Sequence, residues 1–156
     1  MPTPKAGYRL KSGAKVPGVT TVIGQWGLNK GALMYWAWKE GHEGRDFREE
    51  RDTAADLGTL IHACIEAELR SLPLPEISKE HKEKAENALL AFYEWRDGFQ
   101  LEVTSSEVQL ISETHEFGGT IDYPVKLKGR RAILDLKTSK EVYADHRVQL
   151  SAYGRL

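Results

Sequence analysis

The sequence predicts a single mixed α/β domain of the α+β kind: a central mixed sheet with an antiparallel meander, flanked by helices and preceded by an N-terminal β-hairpin. Three observations carry this expectation. Apolar residues between about 29 and 99 recur at helical spacing, the period drops to two after Gln100, and the helical pattern returns from Asp145. With 156 residues, 40% of them hydrophobic and 29% charged, the chain can bury a core without staples and lacks the composition of a disordered or fibrous protein. It holds no internal repeat or long linker, so residues 1–156 are expected to form one domain.

Tyr8 to Ile23 reads as the hairpin, with short apolar runs around Lys11-Ser12-Gly13 and a break at Val16-Pro17-Gly18. Asn29 is the expected N-cap of a first helix that passes through Leu33, Trp36 and Ala37 and stops at Gly41. A second helix covers Asp52 to Arg70, its buried stripe marked by Leu57, Ile61, Cys64 and Ile65, and Leu72-Pro73-Leu74-Pro75 ends it. Ser78 is then the expected cap of a third helix that places Ala85, Ala88, Leu89, Phe92, Trp95 and Phe99 on one face and closes at Asp97-Gly98. Val103 to Ile111, Phe117 to Leu127 and Arg131 to Thr138 read as strands, the last two joined near Lys128-Gly129. Asp145 to Leu156 begins a final helix.

The net charge of −1 hides an uneven distribution. Residues 1–39 carry six Lys/Arg and no Asp/Glu, residues 40–122 carry 8 basic and 20 acidic side chains, and residues 123–156 carry 8 basic and 3 acidic ones. Two basic ends around an acidic middle suit a groove for a polyanion with carboxylates left to hold cations; solvated acidic helices are the plainer explanation. The single cysteine, Cys64, excludes a disulfide framework, a multi-cysteine zinc site and an all-cysteine iron–sulfur cluster, and fits a reducing cytoplasm. No apolar run reaches the ~18–20 residues of a membrane span, and the N-terminus lacks a signal-peptide core.

Alternation along the last strand puts Ile133, Asp135 and Lys137 on one face and Leu134 and Leu136 on the other. A hairpin brings Asp122, on the preceding strand, near Asp135. Close carboxylates repel unless a cation lies between them, and Mg²⁺ or Mn²⁺ is the usual occupant. Strand-end carboxylates capped by Lys and Arg are the alternative. His62 borders the apolar stripe of the second helix with Gly58 and Glu66 one turn away on either side, either as a satisfied core histidine or as part of an N/O metal site. On the first helix, Tyr35 and Trp38 are candidates to stack on bases, whereas Trp36 reads as core. Lys5, Arg9, Lys11 and Lys15, with Lys126, Lys128, Arg130 and Arg131, are candidates to track phosphates.

The order Gly58-Thr59-Leu60-Ile61-His62, Glu107, Gly119-Thr120-Ile121-Asp122, Asp135-Leu136-Lys137-Thr138 and Gln149 with Tyr153 resembles the RecB-like exonuclease branch of the PD-(D/E)XK nucleases. Phage exonucleases and the mitochondrial genome maintenance exonuclease are similar members. The resemblance runs from Pro17-Gly18-Val19-Thr20-Thr21-Val22 to the last residues. It implies a restriction-endonuclease-like core and a divalent-metal-dependent DNA exonuclease acting in recombination, repair or replication of phage or bacterial DNA. The rival is a non-catalytic DNA-binding or assembly module that keeps the fold.

The implied roles fall on particular positions. His62, Asp122 and Asp135, with the backbone carbonyl of Leu136, hold Mg²⁺ or Mn²⁺. Lys137 orients or helps deprotonate the attacking water and stabilises charge on the phosphate. Glu107 supports the site through a water or a second metal, and Glu66 partners His62. Gln149 and Tyr153 face the site, Gln149 touching Lys137 or DNA. The chain departs from the family in two ways: Cys64 alone builds no iron–sulfur cluster, and the sequence stops seven residues after Gln149, where relatives continue the helix and add a strand, so it reads as truncated at its C-terminus.

Overall fold

Two apolar clusters organise the chain, whose computed structural model describes residues 7–28, 30–139 and 141–156. Among these residues the fold is mixed α/β, with five helices and antiparallel sheets that include an N-terminal strand pair. β1 (Tyr8–Arg9) pairs with β2 (Lys15–Val16), Tyr8 opposite Val16. The hairpin expected to reach Ile23 ends there, because Val19–Trp26 is a helix, α1. Its β-branched residues are overruled by tertiary packing: Val19 and Ile23, one helical turn apart, both bury against Ile121 and Tyr153.

Asn29, the expected cap, lies outside the described residues. Helix α2 (Lys30–His42) runs one residue past Gly41, and its buried residue is Glu40, bound to Arg45 Nε at 2.5 Å. That guanidinium holds the Glu40 carboxyl below its ordinary pKa. α3 (Phe47–Leu69) starts five residues before Asp52 because the Asp46 side chain accepts the Arg48 N–H at 2.8 Å, with Glu49 and Glu50 favourably placed in the first turn. α4 (Lys82–Asp97) begins at His81 rather than Ser78; the Ser78 carbonyl instead accepts the His81 N–H in a preceding turn, and Phe99 lies beyond the helix end.

α3 and α4 share the first cluster, formed by Ile61, Cys64, Ile65, Ala85, Leu89 and Phe92. These are the stripes read from the periodicity, and each fully buried side chain of this size contributes about 1.5–3 kcal/mol. The second cluster joins α1, the sheet and α5 (Ala144–Tyr153) through Val19, Ile23, Ile121 and Tyr153. Ile133 packs on this second cluster and Leu136 on the first, so the segment between them runs between the two cores.

The meander is interrupted where the sequence reads as continuous. Its first strand splits into β3 (Leu101–Val103) and β4 (Val108–Ser112), and its second into β5 (Phe117–Ile121) and β6 (Tyr123–Leu127). β4 pairs with β5, while β3, β6 and β7 (Arg130–Leu134) form a second sheet in the order β3-β6-β7. Val103 faces Val125 and Val108 faces Ile121, so the first strand carries one extra residue, and Glu107 takes a left-handed φ of 51° at this bulge. Lys128 and Gly129 both have positive φ, which closes the tight β6–β7 hairpin. β7 ends at Leu134, leaving Asp135 to Thr138 as irregular chain instead of the expected strand end. No helix among the described residues is long and apolar enough to cross a membrane.

Candidate active site

The break between β5 and β6 is a single residue, Asp122, and the strand opposite it ends at the point where Asp135 begins. Tyr123 pairs with Leu134, so the next step of the ladder sets Asp122 beside Asp135. Instead of continuing the ladder, the Leu136 N–H donates to Asp122 Oδ2 at 2.9 Å. Both carboxylates thereby line one cleft of about 290 Å³ together with His62, Leu136, Lys137, Gln149 and Tyr153.

The electrostatics of the cleft are strained. Asp122 is 4% exposed, and burial pushes its pKa up to about 6, partly opposed by the Leu136 N–H. The Asp135 side chain is 3% exposed; its Oδ2 lies 2.5 Å from Lys137 Nζ, while its Oδ1 is buried with no hydrogen-bond partner. His62 Nδ1 lies 3.9 Å from Asp122 Oδ2. Burial, with the nearby Lys137 ammonium, draws the His62 pKa below its ordinary value, so the imidazole is neutral near pH 7 and keeps a lone pair for a ligand.

The neighbouring elements position these groups through close approaches. A Cβ at Gly58 would lie 3.2 Å from Thr138 Oγ1, so this glycine lets the loop after Lys137 come against α3, one turn before His62. Gly118 and Gly119 lie under two tyrosine rings: a Cβ on Gly118 would come 2.4 Å from Tyr8 Cγ, and one on Gly119 would come 2.8 Å from Tyr153 Cε1. The Tyr153 hydroxyl accepts from Gln149 Nε2 at 2.7 Å, and burial raises its pKa to about 12, so it is a neutral phenol. Gly119→Ala should push the Tyr153 ring and Gln149 out of register, at about 1–3 kcal/mol. Thermal unfolding should show the loss at about 2–4 °C per kcal/mol for a domain of this size, and an unchanged melting temperature would mean the ring shifts freely.

Other predicted residues are not brought into the cleft. The exposed Glu107 does not line it; its backbone N–H donates to the Asp122 carbonyl at 2.8 Å, so it acts on the site through the main chain of the bulge. Glu66 does not bond His62 but accepts from Arg70 at 3.0 Å and from Ser106 at 3.1 Å. Lys126 is paired with Glu102 at 2.8 Å. Arg130 starts β7 and Asp135 follows its other end, five residues or roughly 16 Å of extended chain away. Tyr35 and Trp38 are exposed on α2 and stack on each other with centroids 5.7 Å apart. Lys5 lies outside the described residues.

The sequence reading missed Tyr8, Thr20, Thr120 and Thr138 as cleft residues. Thr120 and Thr138 adjoin the motif carboxylates and were readable as neighbours. Tyr8, whose hydroxyl lies 3.0 Å from Thr120 Oγ1, arrives only through the packing of the N-terminal hairpin.

Among the described residues no three His, Cys, Asp or Glu side chains form a ready-made metal cage. The two buried carboxylates nevertheless fit a hard cation. Asp135 Oδ1 is an unpartnered anionic oxygen, and Mg²⁺ is commonly held by one or two carboxylates, with waters and phosphate oxygens completing its shell. No family profile, curated protein or solved structure matches this chain.

Proposed function

We propose that this protein is a divalent-metal-dependent deoxyribonuclease with a restriction-endonuclease-like core, an exonuclease in DNA recombination, repair or replication. The observation that carries the reading is the cleft in which two buried carboxylates converge, one with a free oxygen and the other end of the same carboxylate on Lys137. The motif resemblance of the sequence supports the same reading.

Asp122, Asp135 and the neutral His62 would hold the cation, with the Leu136 carbonyl close by. Bound there, Mg²⁺ or Mn²⁺ supplies Lewis acidity toward the phosphate and lowers the pKa of a coordinated water. Lys137, held against Asp135, is a fixed donor for the phosphate oxygens, which gain charge as water attacks phosphorus and the P–O bond to the leaving sugar breaks. Gln149, tied to Tyr153, presents a polar side chain on the opposite wall.

End-labelled DNA incubated with Mg²⁺ or Mn²⁺ should be degraded, with EDTA abolishing the reaction and restored metal recovering it. DNA that is bound but left intact under every metal condition would instead favour the non-catalytic binding module. Cleavage that persists in EDTA would remove the metal from the reading.

A further inference from the structure

The cleft does not end at its carboxylates. A groove of about 590 Å³ opens from it, and Thr20 and Gln149 belong to the walls of both. The character changes sharply across that boundary. The cleft is lined by Asp122, Asp135, Lys137 and His62, whereas the groove is lined by Ile23, Leu28, Leu33, Trp36 and Tyr143, with Lys30 at its side. Its one acidic residue, Asp145, is already engaged, accepting the His146 N–H at 3.0 Å at the start of α5.

Leu28 and Leu33 are 47% and 63% exposed, so this face of α2 is left without a partner from its own chain. α2 also keeps its aromatic residues on the surface. Tyr35, Trp38 and His42 form a continuous stack, the second pair 5.3 Å apart and 8° from parallel. The described residues from Gly7 to Lys39 contain Arg9, Lys11, Lys15, Lys30 and Lys39 and no carboxylate side chain. A helix that is cationic, aromatic and uncovered suits a ligand with both negative charge and flat apolar rings.

We infer that the groove takes the unpaired bases of a single-stranded polynucleotide whose phosphate lies in the cleft. The inference rests on the nuclease reading for what the cleft holds and goes beyond it in naming the form of the strand. A duplex keeps its bases stacked inside and offers only phosphates and groove edges, so it leaves an apolar wall next to the scissile phosphate dry and unused. An unpaired nucleotide has a phosphodiester and a π-face within one residue, which is the juxtaposition that cleft and groove present. Trp36 is steadied edge-on by Phe47, with centroids 6.5 Å apart and planes at 89°, and so meets a base as a fixed surface. Stacking of this kind is tolerant of sequence and is strengthened by nearby cations.

The test compares binding of a labelled single-stranded 12-mer with that of the same sequence as a blunt duplex, by fluorescence anisotropy, in EDTA and again with Ca²⁺ in place of Mg²⁺. Wild type should prefer the single strand at least roughly tenfold, the scale of one or two base–aromatic contacts. Leu33→Glu, which places a carboxylate on an exposed groove position, and Tyr143→Ala should each erase most of that preference while leaving duplex affinity in place. A preference retained in both variants, or absent from wild type, overturns the inference. So does a wild-type dimer that Leu33→Glu separates, since a second copy of the chain then covers the groove. Because binding is read without cleavage, a protein that shows the variant-sensitive preference yet never cuts DNA keeps this inference and loses only the nuclease reading.

Discussion

Lys137→Ala is expected to leave a folded protein that cleaves DNA at least about 10²–10³ times more slowly at saturating metal. The ammonium is the one cationic side chain in the cleft, held 2.5 Å from Asp135 Oδ2, so it needs no reorganisation when charge grows on the phosphate. The side chain is on irregular chain beyond β7 and is 30% exposed, which keeps the stability cost of truncation small. Lys137→Arg should recover only part of the rate, because a planar fork replaces a compact point charge. Rates from end-labelled DNA at several metal concentrations decide the matter: a turnover rate equal to wild type removes Lys137 from the chemistry. A deficit repaired by more metal would make it a residue that helps hold the cation.

Asp122→Asn should abolish cleavage and, without added metal, raise the melting temperature at neutral pH. The folded Asp122 carboxyl has its pKa pushed up to about 6 from an ordinary value of 3.8, chiefly by burial. Below pH 3.8 it is protonated in both states and costs nothing. Between there and about pH 6 the folded protein holds a proton that the unfolded chain has released, so stability falls as pH rises and then levels off. The deficit at pH 7.5 is on the order of 3 kcal/mol. Asn removes the charge and keeps an oxygen for the Leu136 N–H, so the variant should gain most at pH 7.5 and little near pH 4. Added Mg²⁺ should stabilise wild type alone, since it binds the native carboxylates and not the amide. Melting curves of both proteins across pH, with and without metal, test this directly; parallel pH profiles would show that burying the charge costs nothing.

A charge kept where it destabilises the fold is what a site does when function needs the carboxylate. The same trade is visible at Asp135, whose Oδ1 is buried and unpartnered.

The helical stripes of α3 and α4 were readable from the sequence because a 3.6-residue period survives wherever one face is buried, as Ile61, Cys64, Ile65, Leu89 and Phe92 are. So was the meeting of Asp122 with Asp135, because a tight hairpin at Lys128-Gly129 fixes which residues face each other. Local signals failed at Val19–Ile23, where strand propensity met a core that required an i, i+4 pair, and at Thr104 to Glu107, where one extra residue is invisible to a two-residue period.

By itself, then, the sequence determined the order of elements, the apolar faces and the carboxylates and lysine that share a strand end, all of which follow from spacing along one chain. Only the tertiary structure decided that Glu107 turns away while its N–H holds Asp122, that Tyr8 and Tyr153 lie over adjacent glycines, and that an apolar groove opens beside the cleft. Each of these depends on segments far apart in sequence, such as Tyr8 with Gly118 and Gly119 with Tyr153. No local periodicity records such distances, and close packing settles them only once every element is in place.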